Sequence, residues 1–167
     1  LTTSSAASDV YKRQIINCER VLCAAPAYLE KYGVPEVPQD LLDNGHICLL
    51  LRFPGSSEYY WMLNTSEGFK KFSVSGRYDA DDGDVLTDWA LGGHGIVNKP
   101  RFDVSEHLAS GDLVEILPQT PPASASFGCL FPHRKLQDPK IRLFIDFVAR
   151  KIRQKLMLLP TSKKPEL

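Results

Sequence analysis

The sequence predicts an α/β fold with a mostly parallel sheet. Three observations carry that prediction. Short apolar runs alternate with short stretches at helical spacing, the order that builds strand–helix layers. Gly or Pro marks most of the boundaries between them. The last element, opened by Asp138 and Pro139, carries an apolar stripe long enough to cover a sheet.

Residues 1–14 show no periodicity, and the run Thr2–Ser8 is small and polar, which reads either as a disordered terminus or as a non-native extension. Order is expected from Ile15. Residues 20–25 (RVLCAA) suit a buried strand, and Pro26 opens a helix that Gly33 closes. Pro35 and Pro38 make a loop, and Asp40 is placed to cap a turn carrying Leu41 and Leu42. Residues 47–51 form a second buried strand, broken by Arg52-Phe53-Pro54-Gly55-Ser56-Ser57.

Residues 59–63 read as an aromatic strand. Phe72, Val74 and Gly76 alternate with polar neighbours, the period of a half-exposed strand. Asp81 or Asp82 caps the next helix, whose Val85, Leu86, Trp89 and Ala90 share a face before Gly92-Gly93 ends it. Residues 95–97 form a short strand, 105–109 a short helix stopped by Gly111, 113–117 a strand stopped by Pro118, and 126–131 the last strand. In the closing helix Ile141, Phe144, Ile145, Val148, Ile152 and Leu156 recur at helical spacing.

The 167 residues hold 20 Lys plus Arg and 20 Asp plus Glu, so no global field draws the chain to nucleic acid. From Arg134 onward ten basic residues face three acidic ones, which reads as a solvated helix face or a DNA-contacting tail. Cys18, Cys23, Cys48 and Cys129 form no C-x-x-C pair and are expected to be reduced and packed. No apolar run reaches transmembrane length and no secretion signal opens the chain, so a cytoplasmic location is expected.

Most chemical motifs fail. The cluster Asp79, Asp81, Asp82, Asp84 and Asp88 lacks the Gly and Glu positions of a calcium loop and suits a helix N-terminus instead. His46, His94, His107 and His133 have no zinc spacing, so no metal is expected. Gly92-Gly93-His94-Gly95 follows a helix and precedes a strand, the reverse of a phosphate loop. Catalytic and cofactor signatures are missing, so the expectation is no enzyme and no cofactor. Arg52 differs: it ends a buried strand, where open α/β sheets bind ligands. With loop amides and the Ser56 and Ser57 hydroxyls it can clamp a carboxylate, or it can be a surface Arg on an ordinary loop.

An ordered set of segments resembles the effector-sensing domain of LysR-type transcriptional regulators. Residues 20–35 (RVLCAAPAYLEKYGVP) resemble the family's crossing strand and following helix, and Asp40-Leu41 with residues 46–49 (HICL) resemble the segment after it. Residues 76–86 (GRYDADDGDVL), 90–97 (ALGGHGIV) and Pro100 are similar to its capped helix and glycine turn. Residues 107–118 (HLASGDLVEILP), 132–134 (PHR) and 139–147 (PKIRLFIDF) complete the order through about Lys151.

The resemblance implies a periplasmic-binding-protein-like two-lobed fold within residues 15–157. The second lobe, about 24–122, would be complete, 123–157 would supply part of the first, and 158–167 would be a flexible tail. It implies a small-molecule effector held between two lobes, possible contacts from Ala24, Ala25, Arg52, Phe53, Gly55 and Ser56, and weaker ones from Asp81 and Asp82. DNA would be read only through a winged helix-turn-helix outside these residues, in a full-length homo-oligomer. The alternative is a solute-binding protein of the same fold. The stripe of Ile141, Phe144, Ile145 and Val148 is expected to leave an exposed apolar patch for want of a sheet to cover.

Overall fold

The computed structural model describes residues 10–52, 59–132 and 138–157. These fall into two compact units, a larger one within 19–124 and a smaller one built from 10–18, 125–132 and 138–157.

Five of the strands in the larger unit are β2 (Arg20–Ala24), β3 (Cys48–Leu51), β6 (Tyr78–Ala80), β7 (Ile96–Pro100) and β8 (Val114–Ile116). They form one sheet in the order β6-β3-β7-β2-β8. β3 runs parallel to β6 and β7, whereas β2 is antiparallel to both β7 and β8. Four strands therefore point one way and β2 alone is reversed, so the expected mostly parallel sheet has an inverted strand set inside it.

Both faces of that sheet are covered, which is why its strands read as continuous apolar runs rather than alternating ones. On one face Leu22, Ala24, Cys48, Leu50 and Ile96 pack with Tyr28 and Leu29 of α1 (Pro26–Tyr32), Leu41 of α2 (Asp40–Asp43), and Trp61 and Leu63 of β4 (Trp61–Thr65). On the other, Val21, Cys23, Leu49 and Val97 pack with Leu86 and Ala90 of α3 (Gly83–Leu91) and with Val104 beside α4 (Ser105–Ser110). Among the described residues no helix is long and apolar enough to cross a membrane.

Local chemistry explains most boundaries. Pro26 opens α1, and the Gly33 N–H, at φ 83°, donates to the Leu29 carbonyl to close it. Of the two candidate caps, Asp82 is the one used: its side chain accepts from the Asp84 N–H at 2.8 Å. Gly111 ends α4 in the left-handed region. Asp138 accepts from the Lys140 N–H at 2.9 Å ahead of α5 (Pro139–Met157).

Three expectations need correction. Asp40 does not cap the turn after it; its carboxylate accepts from the Glu36 and Val37 N–H groups and fixes the preceding loop. The strand expected over Phe72–Gly76 is displaced. β5 is Gly68–Phe72, and it pairs with β4 as a hairpin turning at Ser66-Glu67, while Val74 alternates inward without ladder bonds of its own. Order also begins before Ile15. β1 (Val10–Cys18) takes in Val10–Gln14, because β9 (Ala125–Pro132) supplies an antiparallel partner that local composition does not reveal.

In the smaller unit α5 is tied to β1, by the Arg13–Asp146 ion pair at 2.7 Å and by Arg153, which donates to the Ile15 carbonyl at 3.3 Å. Ile145 and Ala149 are buried and Ile141, Val148, Ile152 and Leu156 are half-buried, while Leu143, Phe144 and Phe147 point outward at 70%, 62% and 50% exposure. The expected apolar patch is present, with a different membership: Phe144 belongs to it and Ile145 does not. Cys18, Cys23 and Cys48 are buried free thiols, and burial pushes Cys23 and Cys48 up to about 12, far from reactive thiolate.

Candidate functional site

The site is built at the end of the larger sheet where β3 and β6 stop. Leu50 is level with Asp79 and Leu51 with Ala80, and the Arg52 N–H donates to the Ala80 carbonyl at 2.7 Å. This ladder puts the Arg52 and Asp79 side chains side by side. Arg52 Nε donates to Asp79 Oδ2 at 2.9 Å and Nη2 to Oδ1 at 2.8 Å, a two-pronged pair. The Tyr59 hydroxyl donates to the same Oδ2 at 2.6 Å, and its ring packs against the apolar core.

Three donors thus converge on one carboxylate. The Arg52 and Tyr59 hydrogen bonds hold the Asp79 carboxyl down at about 2, and Asp79 in turn raises both the Arg52 guanidinium and the Tyr59 phenol. The pair stays accessible, with the Arg52 side chain 53% exposed and Asp79 36%.

Neighbouring cations are committed to the scaffold. Arg20 lies in the same row as Arg52, because Arg20 pairs with Pro100 and Leu49 with Val97. Its guanidinium is clipped to the Asn98 side-chain and backbone oxygens at 2.9 Å each, and burial lowers its pKa against the opposing pull of Asp103. Lys99, 7% exposed, binds the Gly83 carbonyl at 3.1 Å and Asp103 at 2.9 Å. Arg101 pairs with Glu115 and Glu19.

The described residues expected to contact an effector lie in two places. Ala24 and Ala25 are buried, at the end of β2 and the start of α1. Cys23, Val97 and Leu49 share a row. Ala24 lies one step beyond it in one direction and Arg52 three steps in the other, about 13 Å apart along the strand axis at roughly 3.3 Å per residue. The reversal of β2 causes the separation. Phe53, Gly55 and Ser56 lie outside the described residues. Asp82 is spent on capping α3, and Asp81 is exposed beside it. An open cavity of about 620 Å³, lined in part by Gln39, Asn64, Lys70, Phe72, Gln119 and Thr120, contains none of the expected residues.

Sequence reasoning missed Tyr59 as a site residue and assigned Asp79 to a helix N-terminus. Asp79 sits instead on the three-residue strand β6. Only the β3–β6 pairing, a long-range fact, links it to Arg52.

Comparison with known proteins fixes the family. The family described as LysR substrate binding domain matches residues 1–153. The chain is 33% identical over 138 residues to the HTH-type transcriptional activator TtdR of Escherichia coli K12, covering 83% of this chain and 44% of the relative. It is 29% identical over 146 residues to the HTH-type transcriptional regulator CrgA of Neisseria meningitidis, covering 87% of this chain and 48% of the relative. The chain therefore spans about half the length of the curated relatives it matches. Among solved structures it resembles the CrgA regulatory domain, with a TM-score of 0.72 and 27% identity over 88% of this chain and 71% of that one. The regulatory domain of AphB from Vibrio vulnificus gives 0.69 and 28% over the same shares. These neighbours have the periplasmic-binding-protein-like α/β fold that the sequence predicts, and the chain belongs to the LysR substrate-binding domain family.

Proposed function

We propose that this chain is the effector-sensing part of a cytoplasmic, homo-oligomeric transcriptional regulator. A small molecule binds at the carboxyl end of β3, at Arg52 and Tyr59. DNA is contacted through a helix-turn-helix carried elsewhere in the full-length protein. The observation that carries this reading is the family match over residues 1–153, with relatives named as transcriptional activators and regulators rather than enzymes.

The geometry supports the location. Ligands of open α/β sheets bind beyond the carboxyl ends of the strands, where Arg52 and Tyr59 offer accessible donors. A ligand that binds one conformer better than another shifts the population between them, and the DNA-contacting part reads out that shift.

The test is a thermal-shift screen of small carboxylates and aromatics on the full-length regulator and on its Arg52→Ala variant. A ligand at 100 times its Kd stabilises by about 2.7 kcal/mol, well within detection. Shifts that disappear in Arg52→Ala are expected; shifts of equal size in both proteins would place the effector elsewhere.

A further inference from the structure

We propose that Asp79 is a built-in competitor for an acidic effector: it fills a three-donor carboxylate receptor made by Arg52 and Tyr59, and a ligand carboxylate binds by taking its place. The inference rests on the location of the effector site given above.

The convergence itself is the first observation. Arg52 Nε, Arg52 Nη2 and the Tyr59 hydroxyl reach a single carboxylate at 2.9, 2.8 and 2.6 Å. A planar fork joined by a third donor is the arrangement that recognises a carboxylate, whichever molecule brings it.

The Arg52 backbone and the Tyr59 ring are also held independently of Asp79. The Arg52 backbone is fixed by its bond to the Ala80 carbonyl, and the Tyr59 ring by the core cluster of Trp61 and Leu63. Withdrawing the Asp79 side chain leaves the Tyr59 ring and the root of the Arg52 side chain in place and frees the guanidinium to meet another carboxylate. By contrast Lys99 is buried and Arg20 half-buried, and both are bound to scaffold carbonyls, so displacing the Lys99 partners would strand buried charge.

Finally, the exchange is cheap. An ion pair this exposed contributes little net stability, since both partners are half-solvated and screened by salt. A ligand carboxylate gains over Asp79 when its further contacts outweigh its lost translational and rotational freedom, a cost the tethered Asp79 does not bear. Asp79 thereby sets a threshold: it weakens binding of a bare carboxylate and leaves discrimination to the remainder of the ligand. Tyr59 and Asp79 are the specificity residues of the site, alongside Arg52 as the anchor.

The experiment titrates succinate, with uncharged succinamide as control, into the 167-residue chain and follows the Arg52 Nε–Hε and Asp79 carboxyl resonances by NMR. Succinate is expected to move both together, and succinamide neither. Asp79→Asn keeps the shape and removes the charge, and should tighten succinate binding roughly fivefold, the worth of an exposed pair. Asp79→Ser should do the same, which guards against a folding defect peculiar to one variant. Arg52→Ala should abolish binding in either background. If Arg52→Ala binds succinate like the parent, the site itself is wrong. If Arg52→Ala loses binding but neither Asp79 variant gains it, the site stands and the competitor does not.

Discussion

The larger unit covers both faces of a five-stranded sheet, whereas the smaller has only one helix and two strands among the described residues. The larger buries Leu22, Leu49, Leu63, Leu86 and Ile96 almost completely. Among described residues the smaller fully buries only Ile15, Cys18, Ile145 and Ala149, and it leaves Phe127, Leu130, Leu143, Phe144 and Phe147 exposed. A two-stranded ribbon is marginal by itself, while a doubly covered sheet is a core in its own right. The contrast shows that equally clear local signals produce unequal stability, because stability depends on how many layers a face meets.

Both tryptophans, Trp61 and Trp89, belong to the larger unit, so their fluorescence in urea reports that unit. Leu63→Ala, at a site with no exposure, should cost about 2–5 kcal/mol by that probe. Ile145→Ala should leave the same tryptophan transition almost unmoved, and a comparable loss there would break the contrast. Gly76→Ala comes next. A Cβ at Gly76 would stand 1.8 Å from the Cys48 carbonyl oxygen, so the start of β3 must shift, an overpacking cost of about 1–3 kcal/mol.

A smaller effect concerns pH. His46 is buried against the Tyr28 hydroxyl, which lies 3.2 Å from its Nδ1, and burial lowers its pKa against an opposing pull from Asp40. With the folded value depressed, the unfolded chain binds the proton first. The larger unit should keep its full stability above about pH 6.5 and lose some as pH falls below it. Denaturation midpoints at pH 7.5 and 5.5 check this, and His46→Gln should flatten the difference. The smallest effect should fall on self-association. Replacing Leu143 and Phe147 with Gln should reduce concentration-dependent light scattering while leaving the tryptophan transition in place.

The sequence signals that proved readable were local. Pro26, Gly33, Asp82, Gly111 and Asp138 mark helix ends because each acts on its own backbone or on neighbours within a turn. The apolar runs at 20–24 and 48–51 are legible because both faces of those strands are buried. What stayed hidden depends on partners far along the chain. β1 exists through β9, more than a hundred residues away, and Tyr78–Ala80 is a strand only because β3 lies beside it. The reversal of β2 is equally invisible locally, and it moves Ala24 and Ala25 to the far end from Arg52. Arg52 was legible as a candidate from its place after an apolar strand, but its partners Tyr59 and Asp79 were not.

The Arg52–Asp79 pairing has a kinetic consequence. A cation already neutralised by its own chain projects almost no field into solution, so an approaching anion is not steered toward it. Chloride and inorganic phosphate then find little to gather around, however abundant they are. Association at such a receptor is set by ordinary collision and fit rather than by steering. For the proposed receptor, an association rate that changes little with ionic strength is the expected outcome.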